Sequence, residues 1–341
     1  MSSHMNPTQA LLNPTSVAVV GASADSTKLN GRPITYLKSH GFSGKIFPIN
    51  PRYDEIDGLK CYADARELPI APDLGLVLVG ANRVIESVQQ LAEIGTKAAI
   101  VLASGFGETG EDGKTRQAAL RSAAGDMRIL GPNTIGLVNL TDGIILSASG
   151  AMEMPEFNSG NIALVSQSGG ILGSLLSRAM ARGTGFSKLI ATGNEADLEV
   201  ADFLDAIADD DATSVVALYL ETIRDIGKFR AAARRVAEAG KRIVVYKVGR
   251  SEYGANAAVS HTGALAGAAK VYDALFDQLG IIRAENFADL LDIPAALSSG
   301  RMMAGKRVAI VTSTGGAATI VADNIGLTNL EIPRPDPATA E

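Results

Sequence analysis

The chain's 341 residues, 46% of them hydrophobic and 36 of them glycine, predict two or three globular domains at roughly 100 to 200 residues each. A formal net charge of −6 argues against nucleic acid as a partner, and the lack of any apolar run near the ~20 residues that cross a bilayer argues against a membrane protein. A lone cysteine, Cys61, and the absence of a cleavable signal before Thr15 predict a cytoplasmic location.

Short β-branched runs alternate with longer amphipathic runs, which is typical of right-handed βαβ units on parallel sheets. The sequence therefore predicts an α/β fold. A tag-like N-terminal segment, 1–13, precedes a first domain, 14–145, and residues 141–159 lack periodicity and are interpreted as the passage to a second domain, 146–298. The predicted strands of the first domain lie near residues 16–20, 45–49, 74–79, 98–102 and 127–130.

A repeat marks the second and third domains. The run Asn161–Gly170 resembles Arg307–Gly316, and Ser16–Ser23 is a looser third copy. Each copy predicts a strand followed by a small-residue turn and a helix. Residues 299–341 are too few for a doubly wound domain, so this segment is interpreted as the start of a third α/β domain that is truncated or incomplete.

The first glycine turn, Gly21–Ser26, follows a strand and could hold a phosphate with its amides. It lacks the G-x-G-x-x-G pattern, and the second strand runs into Asn50 and Pro51 instead of the acidic residue that binds the ribose of NAD. An NAD-dependent dehydrogenase is thereby disfavoured. Three cations lie near these strand ends and could meet the phosphates of a nucleotide-bearing ligand or be solvated surface charges: Lys28, Arg32 and Arg52.

The second glycine turn, Ser166–Gly170, joins a strand directly to a helix. The positive end of that helix, with the hydroxyls of Ser166 and Ser168 and the amides of Gly169 and Gly170, predicts a phosphate-binding turn. The alternative is that Ser168 only caps the helix.

A carboxylate and an imidazole are expected at the same sheet edge. Glu221 ends one predicted strand, and His261 follows the next strand, beyond its carboxyl end. Consecutive parallel strands usually neighbour each other, so Glu221 could orient His261 while the free ring nitrogen attacks an electrophile. The alternative for Glu221 is an ion pair with Arg224 or Lys247. The other histidines, His4 and His40, carry no comparable signal.

The chain resembles the α-subunit portion of nucleoside-diphosphate-forming (ADP-forming) acyl-CoA synthetases, relatives of succinyl-CoA synthetase. The resemblance covers nearly everything from Pro14 to Gly316. Its most specific marker is the loop Ser260–Gly267, which matches the family's phosphohistidine loop, and the other matching motifs are Gly131–Gly136, Ser166–Gly170 and Gly193–Glu195. The resemblance implies a Rossmann-like CoA-binding domain in tandem with a flavodoxin-like ligase domain.

The resemblance also implies a reaction in which a carboxylic acid, CoA and ATP give an acyl-CoA, ADP and phosphate through an acyl phosphate and a phosphohistidine. His261 would carry the phosphoryl group, Glu221 would orient it, and Ser166, Ser168, Gly169 and Gly170 would bind the phosphate. Asn133 and Thr134 would lie at the acyl site. The implied CoA contacts are Gly21, Ser23, Lys28, Asn50, Val79, Ser104 and Gly105. No metal ligand is expected in this chain.

The sequence contains no ATP-grasp segment, so the expected partner is an ATP-grasp β subunit or fused domain that binds ATP or ADP with Mg²⁺. An oligomer is expected. The alternative function is a CoA- or acyl-CoA-sensing region of a protein lysine acetyltransferase. Retention of His261 beside Glu221 argues against it, because such relatives can lose the reactive histidine.

Overall fold

The computed structural model describes residues 7–154, 156–249, 253, 269–301 and 303–340. The chain divides into two compact units, residues 1–298 and 299–341. The described strands are β1 (Ser16–Val20), β2 (Lys45–Ile49), β3 (Glu55–Ile56), β4 (Leu59–Lys60), β5 (Leu74–Val77), β6 (Ala98–Val101), β7 (Arg128–Leu130), β8 (Gly136–Asn139), β9 (Ile144–Ser147), β10 (Ser159–Ser166), β11 (Phe186–Ala191), β12 (Val215–Leu220), β13 (Arg242–Lys247) and β14 (Ile282–Arg283).

Amphipathic helices connect most of these strands. The described helices are α1 (Pro7–Leu12), α2 (Arg32–Ser39), α3 (Ala81–Glu93), α4 (Glu111–Ala124), α5 (Gly169–Ala181), α6 (Val200–Ala208), α7 (Ile226–Glu238), α8 (Ala269–Leu279), α9 (Asp289–Ser298), α10 (Gly315–Gly326) and α11 (Pro337–Ala340). Of these described helices, none combines the length and the apolar character needed to cross a bilayer.

The first sheet is parallel throughout, with the strand order β2-β1-β5-β6-β7. Every residue of β1 is buried, as expected for a strand covered on both faces by crossover helices. The strand order reverses direction between β1 and β5, so loops 21–31 and 78–80 diverge there. Such a switch point is where open α/β sheets bind their ligands.

The second sheet has the order β14-β13-β12-β10-β11-β8-β9. Strands β10 to β14 are parallel to their neighbours, and the hairpin β8–β9 adds two antiparallel strands beside β11. The five parallel strands repeat the order of the first sheet, and their switch point lies between β10 and β12. The two sheets confirm the predicted α/β class.

The hairpin β8–β9 differs from the sequence interpretation. Residues 141–159 were expected to be a passage between domains, yet Ile144–Ser147 is a fully buried strand of the second sheet. The two apolar runs of the hairpin are short and are separated by the polar turn 140–143, so the sequence pattern did not indicate strands. They form strands because β8 pairs with both β9 and β11.

One hydrophobic cluster spans both sheets. It includes Leu11 of α1, Leu76 of β5, Val165 of β10 and Phe203 of α6, each with 0% exposure. Burying a side chain of this size contributes about 1.5 to 3 kcal/mol. The shared core therefore holds the two sheets as one body and fixes the relation between their carboxyl edges.

In the unit 299–341, the helix expected after the glycine pair is present as α10. The strand expected at 307–312 is not formed, since only an isolated bridge joins Arg307 to Glu331 and Val311 is 97% exposed. A strand needs a neighbour along its hydrogen-bonding edge, and one bridge does not provide a ladder. The strand prediction was wrong for this unit.

Candidate active site at the carboxyl ends of two sheets

A single cleft of about 1350 Å³ joins the carboxyl edges of both sheets. Its volume exceeds that of a pocket for a small ligand alone. The residues that line it and matter below are Arg32, Val79, Gly80, Ser104, Glu108, Gln117, Asn133, Thr134, Gln167, Ser168, Gly169, Gly170, Asn194, Glu195, Glu221, Thr222 and Arg224. The loops of the first sheet thus face the strand ends of the second.

The phosphate turn, residues 166–170, uses its hydroxyls internally. The buried Ser166 Oγ donates to the carbonyl of Ser168 at 2.7 Å and accepts from the Ser168 amide at 3.1 Å. Ser168 Oγ accepts from the Ile171 amide at 3.4 Å and caps α5. The helix-capping alternative for Ser168 therefore describes this structure, and Ser166 closes the turn without lining the cleft.

The glycines of the phosphate turn present backbone to the cleft. First-turn amides of a helix have no carbonyl four residues back, and the helix dipole makes this end electropositive. A Cβ on Gly169 would lie 2.7 Å from Ile135 Cγ2, whereas one on Gly170 would meet no atom within 4 Å. Gly169 is thus required for close packing, and the start of α5 can receive an anion.

Glu221 lies at the end of β12 and lines the cleft. Strand β13 is the parallel neighbour of β12, as predicted from their order in the chain, and Lys247 pairs in register with Leu220. Burial lowers the pKa of Lys247 to about 8, and the Glu221 charge opposes that shift. The Lys247 ammonium lies 4.5 Å from the centre of the Tyr272 ring and donates to the Val248 carbonyl at 2.6 Å.

Arg224, the other alternative partner of Glu221, forms an ion pair with Glu195, with Arg224 Nε 3.3 Å from Glu195 Oε2. His261 lies outside the described residues. Its pairing with Glu221 therefore remains a prediction, for which the neighbouring strands β12 and β13 provide the required topology.

Glu195 is a buried carboxylate at the end of β11. Its two oxygens accept from Gln167 Nε2, Thr192 Oγ1 and the Val200 amide at 2.9, 2.9 and 3.1 Å. Burial raises the pKa of Glu195 to about 7 against the opposing effects of these hydrogen bonds and Arg224. The motif Gly193–Glu195 thus holds a carboxyl group that titrates near neutrality.

Replacing Glu195 with glutamine is expected to flatten the dependence of the unfolding free energy on pH. Because the folded-state pKa is about 7 and the ordinary value is 4.5, the carboxyl stabilises the fold fully only below pH 4.5 and loses that contribution as the pH rises through 7. The loss amounts to about 3 kcal/mol at 1.36 kcal/mol per pKa unit. Denaturant unfolding of the wild type and of Glu195→Gln at pH 5 and pH 8 measures this loss. The same change in unfolding free energy between the two pH values in both proteins would contradict the prediction.

Some of the predicted CoA contacts line the cleft, and others only shape the loops next to the first sheet. Val79 and Ser104 line the cleft. Gly21, with φ +83°, leaves no room for a side chain because a Cβ would lie 2.8 Å from Val79 Cγ1. Ser23 Oγ accepts from the Asp25 amide at 3.1 Å, and Asn50 Nδ2 donates to the Ala22 carbonyl at 2.7 Å. These residues shape the loops at the ends of β1 and β2.

Two further predicted CoA contacts, Lys28 and Gly105, are not among the described residues that line the cleft. Lys28 is exposed and lies 3.3 Å from Asp25 through its ammonium. Gly105, with φ +96°, donates its amide to Glu108 Oε1 at 2.5 Å. Arg32 does line the cleft, and its buried Nε has no hydrogen-bond partner among the described residues. Arg32 is therefore the better-placed cation.

The predicted acyl-site residues belong to the turn after β7. Asn133, with φ +57°, donates from Nδ2 to Asn194 Oδ1 at 3.2 Å. Thr134 Oγ1 donates to the Ala191 carbonyl at 2.5 Å and accepts from the Gly136 amide at 3.0 Å, so it ties the turn to β11. Asn133 thus presents an amide to the cleft, and Thr134 is committed to the turn.

Sequence reasoning assigned no role to Glu108, whose carboxylate accepts a hydrogen bond from Asn194 Nδ2. Burial acts to raise the pKa of Glu108, but hydrogen bonds from Asn194 and the Gly105 amide outweigh it and lower the pKa. Glu108 therefore contributes a negative charge to the cleft. The contact joins residues far apart in sequence, and no local pattern signals it.

Two family profiles match successive parts of the chain. The profile described as a CoA binding domain matches residues 15–139, and the profile described as a succinyl-CoA ligase like flavodoxin domain matches residues 159–297. The two domains share one cleft. This combination defines the α portion of an acyl-CoA synthetase.

Individual relatives specify the class further. The α subunit of ADP-forming acetate–CoA ligase II from Pyrococcus furiosus is 36% identical over 331 residues, which cover 96% of this chain and 71% of that subunit. The α subunit of ligase I from the same organism is 37% identical over 321 residues, covering 92% and 68%. The dinucleotide forming acetyl-coenzyme A synthetase 1 of Ca. Korarchaeum cryptofilum, in complex with phosphate and ADP, has a TM-score of 0.88 and 35% identity over 96% of this chain and 70% of that one.

The chain belongs to the ADP-forming acyl-CoA synthetase family, within which it corresponds to the α subunits. It is thus an acid–thiol ligase chain. The family resemblance, which the sequence analysis based on the loop Ser260–Gly267 and on the motifs Gly131–Gly136, Ser166–Gly170 and Gly193–Glu195, is confirmed.

Proposed function

We propose that this chain provides the CoA, acyl and phosphohistidine sites of an enzyme that converts a carboxylic acid, CoA and ATP into an acyl-CoA, ADP and phosphate. The observation that carries the proposal is the common cleft, in which the loops of the CoA-binding sheet face the phosphate turn and Glu221. The acid must take the phosphoryl group from His261 and then pass its acyl group to the CoA thiol, so the acid, CoA and the phosphohistidine need such a meeting point.

The proposed chemistry has three steps. A ring nitrogen of His261 attacks the γ-phosphorus of ATP, and ADP leaves. A carboxylate oxygen of the acid then attacks that phosphorus, which breaks the bond to nitrogen and gives an acyl phosphate. The thiol sulfur of CoA, losing its proton, attacks the acyl carbon, and phosphate leaves with the electron pair of the carbon–oxygen bond.

Each part of the cleft then has a role. The amides at the start of α5, from Gly169 and Gly170, would hold the phosphoryl group, while Ser166 and Ser168 keep the turn in shape. Glu221 would orient the imidazole and stabilise its positive form. Of the predicted phosphate contacts, this assignment keeps the helix amides and gives the serine hydroxyls a role inside the turn.

The first sheet would hold CoA. Val79 and Ser104 are proposed to contact it directly, with Gly21, Ser23 and Asn50 shaping the loops beneath it. Arg32, which lines the cleft, would pair with a phosphate of CoA through the terminal nitrogens of its guanidinium. Lys28 and Gly105 remain proposed contacts, and Asn133 would hydrogen-bond the acid.

An ATP-grasp subunit or fused domain is the proposed source of the ATP site, where Mg²⁺ would neutralise the phosphates. Within this chain the CoA-binding part is proposed to end before β8, because β8 and β9 complete the second sheet. The acid is proposed to be a small carboxylic acid, with acetate the first to test because of the relatives' names.

The chain with an ATP-grasp subunit from a related ligase is expected to form acetyl-CoA from acetate, CoA and ATP with one ADP released per thioester. The nucleotide product distinguishes the mechanism, since transfer of the γ-phosphoryl group leaves ADP and adenylation would leave AMP. Chromatography of nucleotides and thioesters measures both products.

Reactions lacking the chain, the ATP-grasp subunit or the acid serve as controls. Longer monocarboxylic acids and dicarboxylic acids define the acid specificity in the same assay. CoA binding without turnover of any acid, or release of AMP, would overturn the proposed function.

A further inference from the structure

Gln167 lies between the two serines of the phosphate turn and is buried. Its Oε1 accepts from the backbone amides of Glu221 and Thr222 at 2.6 and 3.0 Å. Its Nε2 donates to Glu195 Oε2 and to the Thr222 carbonyl, both at 2.9 Å. A primary amide offers two acceptor and two donor positions, and all four are occupied here.

These bonds connect the ends of three adjacent strands. Gln167 follows β10, Glu195 follows β11, and Glu221 follows β12. The backbone that carries Glu221 has just left the sheet ladder, so its amide direction is set by the Gln167 side chain. Gln167 thereby ties the position of Glu221 to the phosphate turn, in which Gln167 itself stands.

Glu195 determines which way the Gln167 amide faces. In its ionised form the Glu195 carboxylate only accepts, so Nε2 must then point to Glu195, which leaves Oε1 for the two backbone amides. If the amide were flipped, Gln167 Oε1 would face the Glu195 carboxylate oxygen, and the Gln167 NH₂ group would face the backbone N–H groups of Glu221 and Thr222. Thr192 and Val200 hold Glu195 from the other side, so its position does not depend on Gln167 alone.

We propose that Gln167 is a positioning residue that fixes Glu221 relative to the phosphate turn, and that Glu195 sets the orientation of its amide. The inference rests on the proposed function, in which Glu221 acts on His261. It gives a role to the Gly193–Glu195 motif, which the reaction scheme leaves unused.

A double-mutant cycle tests the proposal with the full chain and an ATP-grasp subunit. The variants are Gln167→Met, Glu221→Gln and the double variant, and the readouts are the rate of His261 phosphorylation by ATP and the affinity for CoA by calorimetry. Gln167→Met is expected to slow phosphorylation by about 10- to 100-fold, as a misplaced catalytic group does, with CoA affinity within about twofold of wild type. The double variant should be no slower than Glu221→Gln alone, because Gln167 acts through Glu221.

Gln89→Met is the matched control, since Gln89 is exposed on α3 and its amide bonds only Glu93 within the described helix. It should phosphorylate at the wild-type rate. Glu195→Gln provides a second variant of similar volume. Glu195→Gln frees the Gln167 amide to flip, so it should slow His261 phosphorylation by about 2- to 10-fold, less than Gln167→Met does. In the Glu221→Gln background, Glu195→Gln should cause no further slowing.

The positioning role would be overturned if the double variant were phosphorylated more slowly than Glu221→Gln by the full factor that Gln167→Met causes alone. It would also be overturned if Gln167→Met were phosphorylated at the wild-type rate. If Gln167→Met does not fold, Glu195→Gln decides the question by the same cycle. Failure of the wild-type chain to become phosphorylated would overturn the proposed function together with this inference, whereas a labelled wild type with multiplicative variants would overturn this inference alone.

Discussion

His261→Ala is expected to abolish phosphoryl labelling of this chain by ATP and an ATP-grasp subunit, and to leave CoA affinity within about twofold of wild type. Alanine has no nitrogen to accept the phosphoryl group, so the loss should reach at least about 10³-fold, as for other catalytic nucleophiles. CoA affinity should persist because its proposed contacts lie on loops of the first sheet, around Val79 and Ser104. Labelling with γ-³²P-ATP, followed by peptide mapping under alkaline conditions that preserve phosphohistidine, measures the first quantity, and calorimetry the second.

His40→Ala is the control for this experiment. His40 follows α2, and its ring centre lies 5.3 Å from that of Phe157, where it packs instead of facing the cleft. The His40 variant should label like the wild type. Label that survives in His261→Ala, or that maps to His40, would contradict the phosphohistidine assignment.

The parallel sheets could be predicted because their strands carry a local signal. Runs such as Ser16–Val20 and Val215–Leu220 are buried on both faces, so almost every residue in them is apolar and they stand out from the flanking loops. The neighbour relation between β12 and β13 followed from chain order, which is why Glu221 could be assigned to the same edge as the loop of His261.

The internal use of the serine hydroxyls could not be predicted. The sequence Ser166–Gly170 is compatible with hydroxyls that face a ligand and with hydroxyls that close the turn. The choice depends on backbone dihedrals that place Ser166 Oγ against both the amide and the carbonyl of Ser168. The serine hydroxyls therefore close the turn, and the amides of Gly169 and Gly170 remain the proposed phosphate contacts.

Side-chain contacts between loops that are distant in the chain also could not be predicted from the sequence. Glu108 meets Asn194, and Gln167 meets Glu195, only because the strand ends converge on one cleft. Neither pair has a helical or strand spacing that would reveal it. Gln167 was visible as part of a glycine turn, but its role depends on the amides of Glu221 and Thr222, which lie two strands later in the chain.

Glu221→Gln is expected to slow phosphorylation of His261 by about 10²- to 10⁴-fold, the range seen when a carboxylate that orients a reacting imidazole becomes an amide. The substitution keeps the volume and the backbone amide bonded to Gln167, but removes the charge that would stabilise the imidazolium. CoA affinity should remain within about twofold of wild type. The same labelling and calorimetric assays measure both quantities.

The pKa of Lys247 provides a second measure of the Glu221 charge. Burial lowers the pKa of Lys247 to about 8, and Glu221 works in the opposite direction. Removing the carboxylate should therefore lower the Lys247 pKa further, so that more of the amine is neutral at pH 7.5, which NMR titration of the lysine side chain measures. Equal losses of labelling and CoA affinity in Glu221→Gln, with no change in the Lys247 titration, would mean that Glu221 supports the fold of the cleft and does not act on His261. A selective loss of labelling with a shifted Lys247 would place the negative charge of Glu221 at the phosphoryl-transfer step.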